Sequence, residues 1–587
     1  MSGLKRLNLH AWIMGLLALA TVLIVACGGS AAPTVESIAP TTVAQPTGIA
    51  ATAAPAVAAT ATPVSQAVTS ARDTLIFVSN EEPTTLGAAS ASCGGNAQNT
   101  VCDDIASDPL TWIDNDTFEV VPLSTIESWE QLEPNRWQFK LRQGVKFHNG
   151  APWNATQAAF WIDFFGDEET SGHSNSNDFS FHGVISGEVV DEFTLDVVCG
   201  KPCPILPRTT IFTKFQDVTW FEQASEDDIE RMTVGLGPYK IVEWRAGIEV
   251  ELEAFADYKP NTAFDSQAPS IQHVFQIWRN EPLVRAAVIE AGEADLAEIS
   301  MDDRDRVPQF KVATNNEIYI WPIDTIHHPE LRKVKVREAL NLAIDCETLM
   351  KQLYDNLLKC YGNIAQPGTV GITPENSKPY GDDPERARQL LIEANYDPAN
   401  EIVINMRSQK VAKDVEWAEA AVAYWREVGI NARQNVVESA VRSGLSRQNC
   451  GHKRTRQDFA DAPGDTLTEK CRALGPGGPG FASMQLTESA TSTESLDFSR
   501  QGILRNSCFS RSSGICEDEL EKMIEIANAT DTGPLRTERM VEIANHVREH
   551  FHFVPVLQNV VVYGMAADLV WEPYYAPRLR INTMRFK

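Results

Sequence analysis

Apolar side chains recur with two periods along this chain, and those periods locate its strands and helices. Between residues 136 and 142, Trp137, Phe139 and Leu141 alternate with Gln138, Lys140 and Arg142, the pattern of a strand with one face buried. Similar alternation marks 193–198 and 248–255, and 74–79 reads as an opening strand. Helical spacing is clearest after residue 330. In 383–394, Ala387, Leu390, Leu391 and Ala394 share one face. Asp383 is placed to cap this helix, Pro384 sits in its first turn where a missing N–H costs nothing, and Asn395 can close it in the left-handed conformation. In 414–428, Trp417, Ala421, Tyr424, Trp425 and Val428 form the stripe and Gly429 ends it. Stripes of this kind face a core. The mixture, without a fixed repeat, points to an α/β protein, and a body running from about 72 to 587 is too long for one core. Two or three domains are expected.

The first thirty residues follow neither period. Lys5 and Arg6 precede a 16-residue apolar or small run, 11–26, which closes on Val25-Ala26-Cys27-Gly28. Charge, apolar core and cleavage pattern are those of a secretory signal. A cysteine directly after Val-Ala resembles the bacterial lipobox, whose thiol is lipidated, so Cys27 is the expected lipid anchor. The competing reading is a signal anchor, but a spanning helix needs ~20 residues. From 28 to 71 the chain is almost wholly Ala, Thr, Pro, Val, Ser and Gly, with Glu36 its only charge. Such a segment buries too little surface to order itself and reads as a disordered tether.

Composition narrows the partners. A net charge of −28 argues against nucleic acid, which calls for a basic face. Removing Cys27 from the eleven cysteines leaves ten that fall as sequence neighbours: Cys93 and Cys102, Cys199 and Cys203, Cys346 and Cys360, Cys450 and Cys471, Cys508 and Cys516. An even number outside the cytoplasm favours disulfides between neighbours. Zinc is the alternative, without a CxxC pair or nearby histidine cluster to support it, and no metal is expected. His546 and His550 are spaced to share a helical face with His552 close by, which a helix end also produces.

Several blocks then carry a resemblance. IESWE (126–130) followed by WQFKLRQGVKFHNGAP (137–152) resembles the signature of solute-binding protein family 5, the oligopeptide, dipeptide, nickel and glutathione receptors of ATP-binding-cassette importers. GLGPYKIVEW (235–244) with Asp257-Tyr258, IEAGEADL (289–296), VKVREALNLAID (334–345) and YGDDPERARQLL (380–391) resemble further blocks, in the family's order. On the residues alone, Gly144 and Asn149-Gly150 are turns, Gly235, Gly237 and Pro238 punctuate a crossing between domains, and Arg337 and Asp345 lie two turns apart on one helix, with Asp345 buried and hydrogen-bonded.

The resemblance implies a type II periplasmic-binding-protein clamshell, α/β and two-lobed, with an extra domain in the first lobe. Residues 1–26 would be the lipoprotein signal peptide and 27–71 the tether. Lobe I would comprise 72–110, 236–320 and 555–587, the extra domain 111–235, and lobe II 321–554. The implied function is a lipid-anchored extracytoplasmic receptor, monomeric and without cofactor, that captures a solute, a peptide first among the candidates, and delivers it to a membrane permease. Peptide-binding members pair an aspartate of the second lobe with the ligand's amino terminus. Asp465 and Asp461 are the nearest matches, with Phe481, Asn80 and Trp321 as candidate cleft walls. The alternative is a secreted, lipid-anchored hydrolase or metal-dependent enzyme, but HExxH, GxSxG and the P-loop pattern are all absent from the sequence.

Overall fold

The computed structural model describes residues 72–587 except 91, 94–98, 167–182, 184, 262–266, 409, 447–449, 451–455, 477–482, 484, 493–494, 500–504, 511–512 and 577. The signal, Cys27 and the tether therefore lie outside the described residues, as does Phe481.

The opening strand β1 (Thr74–Ser79) lies where its apolar run places it, in the middle of a sheet. The chain then forms a small hairpin, β2 (Thr111–Ile113) with β3 (Val120–Pro122). An antiparallel four-stranded sheet follows: β4 (Ile126–Glu133), β5 (Arg136–Leu141), β6 (Ile185–Asp191) and β7 (Thr194–Cys199), in spatial order β4-β5-β7-β6. Trp137, Phe139 and Leu141 all point inward, as their alternation requires, and pack with Trp161, Ile162 and Phe165 of helix α1 (Ala155–Gly166).

The chain returns to the first sheet through Gly235 and Gly237. A Cβ on Gly237 would lie 2.5 Å from the Ile105 carbonyl oxygen, so only glycine fits this approach of two backbones. Strands β8 (Tyr239–Arg245), β9 (Glu249–Ala254) and β10 (His273–Trp278), helix α2 (Pro282–Glu290), β11 (Leu296–Ile299) and the 14-residue β12 (Gln309–Pro322) come next. Helices α3 (Val334–Leu342), α4 (Cys346–Tyr354), α5 (Pro384–Glu393) and α6 (Asp414–Glu427) alternate with β13 (Ile402–Met406) and β14 (Ala432–Val436). Helices α7 (Ser439–Ser446), α8 (Arg456–Asp461) and α9 (Leu467–Leu474) lead to β15 (Leu486–Thr487) and β16 (Ser489–Ser492). Helices α10 (Asp518–Asn528) and α11 (Pro534–Glu549), the 13-residue β17 (Phe553–Met565), and the pair β18 (Leu569–Val570) and β19 (Arg585–Phe586) complete the order.

The large sheet runs β16-β12-β17-β11-β1-β10-β9-β8, with β1 parallel to both β10 and β11. The second, β14-β13-β15, is parallel throughout. The chain leaving β12 touches the second sheet, Ile323 bridging Leu486 of β15, while β12 itself pairs with β17. Gln309–Thr314 pairs antiparallel with the far end of β17, Ile318–Pro322 with its beginning, and the register shifts between Thr314 and Ile318. A bulge of this kind bends a strand and leaves its ladder locally unpaired.

Helix α5 forms as expected: Asp383 accepts the Arg386 N–H, and Asn395 takes φ +48°. The block at 334–345 differs. Helix α3 stops at Leu342, and the half-buried Asp345 caps α4 by accepting the Thr348 N–H at 2.9 Å. A capping carboxylate outcompetes continuation of one long helix, so Arg337 and Asp345 stand on different helices. The buried member of the two is Arg337, which donates to the Leu331, Arg332 and His550 carbonyls.

Each neighbouring cysteine pair is joined: 93–102, 199–203, 346–360, 450–471 and 508–516, with Cα–Cα separations of 4.4 to 6.4 Å. Among the described residues no helix is long and apolar enough to cross a membrane.

Candidate ligand-binding site

In parallel α/β sheets, side chains delivered from the carboxyl ends of the strands line a crevice, because there the loops diverge to opposite faces. Each strand of the β14-β13-β15 sheet delivers one charged group at that end. Arg407 follows β13, Arg442 lies on α7 beyond β14, and Glu488 follows β15. Arg407 grips the fully buried Glu488 carboxylate as a fork, Nε to Oε2 at 2.9 Å and Nη2 to Oε1 at 3.0 Å. Arg442 donates from Nε to the Glu488 carbonyl oxygen at 2.7 Å and from Nη2 to the same atom, with its Nε 3.4 Å from the carboxylate. Burial works against the Glu488 charge, yet the Arg407 hydrogen bonds and both guanidinium charges hold its carboxyl below the ordinary glutamate range. Burial pulls Arg442 down, whereas the Glu488 bond raises Arg407.

One more cation stands on this rim. Lys410 Nζ lies 3.2 Å from Glu317 on β12, and Asn559 of β17 donates to the same oxygen at 3.4 Å. These contacts sit at the bulge in the β12–β17 pairing. Three cations thus face three carboxylates, the third being the buried Asp414, which accepts the Lys410 and Val411 N–H groups and bears on the Arg407 charge, and all three carboxylates are engaged. Among the described residues, Nη1 of Arg407 and Nη1 of Arg442 have no hydrogen-bond acceptor. Beside them β16 is an edge strand, hydrogen-bonded on one side by β12.

A wall of residues from the other end of the chain and from the small hairpin meets the segment that follows β16. Leu496 packs with Ile113, Ile211, Phe212 and Tyr575. Arg208 Nη1 donates to the Ser495 carbonyl at 3.2 Å, and Thr314 Oγ1 donates to the Tyr575 carbonyl at 3.0 Å.

The residues expected from the sequence do not converge here. Asp461 and Asp465 are both exposed, on α8 and on the turn before α9; Asp461 accepts from Gln457, and Asp465 contributes its backbone N–H to Glu469. They are solvated charges, without the desolvation an ammonium subsite needs. Trp321 is corrected more sharply: it is fully buried, its ring 5.8 Å from Trp425 and 6.4 Å from Tyr319, and it packs a core instead of walling a cleft. Asn80 lies at the carboxyl end of β1 with its Oδ1 buried and without a partner. Sequence reasoning missed Arg407, Arg442 and Glu488. Their signal was positional, one charge immediately after a short apolar run, and became legible once the strands were paired.

A second charged cluster does different work. The Glu517 carboxylate accepts from His546 Nε2 at 2.9 Å and from the fully buried His552 Nε2 at 3.0 Å, while the His550 ring stacks on His546. Burial opposes the Glu517 charge, but the two imidazoles hold its carboxyl far below the usual range. Burial takes His552 down to about 4. These three groups could hold a metal by type, their ligand atoms lying within 4.8 Å of one another. The cationic Arg337, donating to the His550 carbonyl 2.9 Å away, already supplies the positive charge a metal would bring. The triad ties α10, α11 and β17 together.

Comparison with known proteins agrees with this architecture. The glutathione-binding protein GsiB of Salmonella typhi is 26% identical over 326 residues, covering 52% of this chain and 58% of that protein, under two thirds of its length. The substrate-binding protein CtaP of an ABC transporter from Listeria monocytogenes superposes with a TM-score of 0.71 at 17% identity, over 88% of this chain and 100% of that one. The oligopeptide-binding protein AppA of Bacillus subtilis, solved with a nonapeptide, gives a TM-score of 0.64 at 16% identity, over 88% and 100%. Residues 119–461, more than half of the chain, match the model for the middle region of the bacterial extracellular solute-binding proteins, family 5, and the chain belongs to that family.

Proposed function

We propose that the protein is the capture subunit of an ATP-binding-cassette importer, holding a peptide between its two lobes and presenting it to a membrane permease. The lobes are those of the sequence reading: 72–110, 236–320 and 555–587 against 321–554, with 111–235 as the extra domain. A lipid on Cys27 keeps the receptor at the outer face of the membrane, and the 27–71 tether gives it reach. Family membership and the peptide- and glutathione-binding relatives support the class. One observation carries the site: the unspent Nη1 atoms of Arg407 and Arg442 at the carboxyl ends of parallel strands, beside the open edge of β16. An extended peptide adds to such an edge through its main chain, and a carboxylate of the solute completes the two guanidinium groups. The rim acids are occupied, so recognition leans on the negative end of the solute.

Titration calorimetry with tri- to pentapeptides tests this. Free-acid peptides bind, and their C-terminal amides bind at least about tenfold more weakly, as loss of one charge-assisted hydrogen bond requires. Equal affinity for acid and amide would remove the arginine pair from the site. A ligand at a hundredfold excess over its Kd also stabilises the protein by about 2.7 kcal/mol, readable as a higher Tm.

A further inference from the structure

The wall that meets Leu496 has a second face. Successive residues of a strand point to opposite sides, and β2 uses both. Ile113 packs toward Leu496, whereas Trp112 packs with Val121, Leu123 and Tyr574, its ring 4.9 Å from that of Tyr574. Behind Trp112 lies a cavity of about 370 Å³, which shares no lining residue with the Arg407–Glu488–Arg442 rim.

Its lining is chemically divided. Trp112, Trp571 and Tyr574 form an aromatic wall. Arg580 lies under Trp112, 5.0 Å from the ring centroid and only 5% exposed. Its Nη1 is bound to Asp108 at 2.8 Å, and Asp108 also accepts from Tyr258 and Ser124. Its Nη2 is buried without a partner among the described residues. A buried guanidinium nitrogen left unpaired is costly, and its residue borders a space large enough to admit an acceptor. Arg585, exposed on β19, has no side-chain partner among the described residues and lines the same space. So does Asp116, exposed, whose backbone N–H is used by Asp114 while its carboxylate has no partner among the described residues. The remaining acid, Glu572, is already paired with Lys311.

One cavity therefore offers an unpaired guanidinium, an unpaired carboxylate and an aromatic face. We propose that it is a second binding site, specific for a free amino acid with an aromatic side chain. The ligand's carboxylate meets Arg580 Nη2 and Arg585, its ammonium meets Asp116, and its ring lies against Trp112 and Tyr574. The volume is near the lower end of small-molecule pockets, which run from about 300 to 1,000 Å³, and so suits a single amino acid better than an extended peptide.

The probes are L-phenylalanine, 3-phenylpropionate, which lacks the amine, and 2-phenylethylamine, which lacks the carboxylate. Titration calorimetry of the purified protein is expected to show saturable one-to-one binding of phenylalanine. Each truncated probe binds at least about tenfold more weakly, the cost of one charge-assisted hydrogen bond. Asp116→Asn erases the preference for phenylalanine over 3-phenylpropionate, and Arg585→Gln narrows its preference over 2-phenylethylamine. Arg580→Lys keeps a cation for Asp108 while removing Nη2, and lowers affinity for both carboxylate probes. Should Arg580→Lys fail to fold, the two exposed variants decide. Phenylalanine binding persists in the unaltered protein saturated with a free-acid tetrapeptide, which separates this site from the interlobe one. No saturable binding at millimolar phenylalanine, equal affinity for all three probes, or competition between phenylalanine and the tetrapeptide would each overturn the proposal.

Discussion

Glu488 and Glu517 are two carboxylates of one region, each served by two nitrogen bases and each held below the ordinary glutamate range. They differ in what is left over. Around Glu517 the imidazoles of His546 and His552 each spend their Nε2 on the carboxylate, and Arg337 is absorbed by three carbonyl groups. Around Glu488 two guanidinium groups keep an Nη1 apiece without an acceptor. A displaced pKa therefore marks both places, and only the surplus of donors distinguishes a site that can take a ligand from a knot that holds elements together.

The comparison breaks most visibly if Glu488 is removed. Glu488→Ala leaves two partly buried guanidinium groups without their counter-ion, and loss of one partner from a buried pair typically costs about 3–5 kcal/mol. Urea unfolding is expected to show a loss of that size; a loss below about 1 kcal/mol would mean that the pair is solvated.

The next effect is a pH dependence. His552 titrates near 4 when folded against about 6.5 when unfolded, so the unfolded chain binds the extra proton between those values. Stability from this group is intact above pH 6.5 and falls as pH drops toward 4, by up to roughly 3 kcal/mol. Glu517, lowered in the fold, adds a further loss once pH passes below its unfolded value of about 4.3. His552→Asn flattens the first segment of the stability–pH curve. An unchanged slope between pH 6.5 and 4.5 would place the titration elsewhere.

Arg407→Ala reads the other side of the contrast. It weakens free-acid peptides by about ten- to a hundredfold, the range expected for a lost charge-assisted bond, while C-terminal amides change little. The smallest effect belongs to Asp465→Asn. An exposed charge without a side-chain partner changes stability by less than about 0.5 kcal/mol, and free and N-acetylated peptides should bind this variant as they bind the unaltered protein. A selective loss of free-amine peptides would restore Asp465 to the site.

The legibility of the sequence divides along the same line. Trp137, Phe139 and Leu141 revealed their strand because burial on one face imposes a period of two, and Asp383 revealed a helix start because an unsatisfied N–H needs an acceptor. Those are local rules. Asp345 was misplaced because two local rules competed, an unbroken apolar stripe against a capping side chain, and the cap prevailed. The charged rim is not local at all. Arg407 and Glu488 are 81 residues apart and Arg442 lies between them in sequence, so their meeting depends on the order β14-β13-β15. Trp321 shows the converse error: a large aromatic near a crossing of domains looks like a cleft wall until its partners Trp425 and Tyr319 are seen to enclose it.

The register shift in β12 carries a mechanical consequence. A ribbon of two long hydrogen-bonded strands behaves as a beam, stiff wherever its rungs are continuous. Here the rungs run from Gln309 to Thr314, resume at Ile318, and slip again between Tyr319 and Ile320, leaving a first notch opposite Asn559 and a second one just beyond. A notched beam concentrates its curvature at its notches, so the ribbon yields where 315–317 face Asn559 and at the second slip, while the continuous run from Gln309 to Thr314 stays stiff. Glu317 stands in the first notch, held by Lys410 from the segment after β13 and by Asn559 from the facing strand, so the ribbon is pinned from outside where its own rungs are missing.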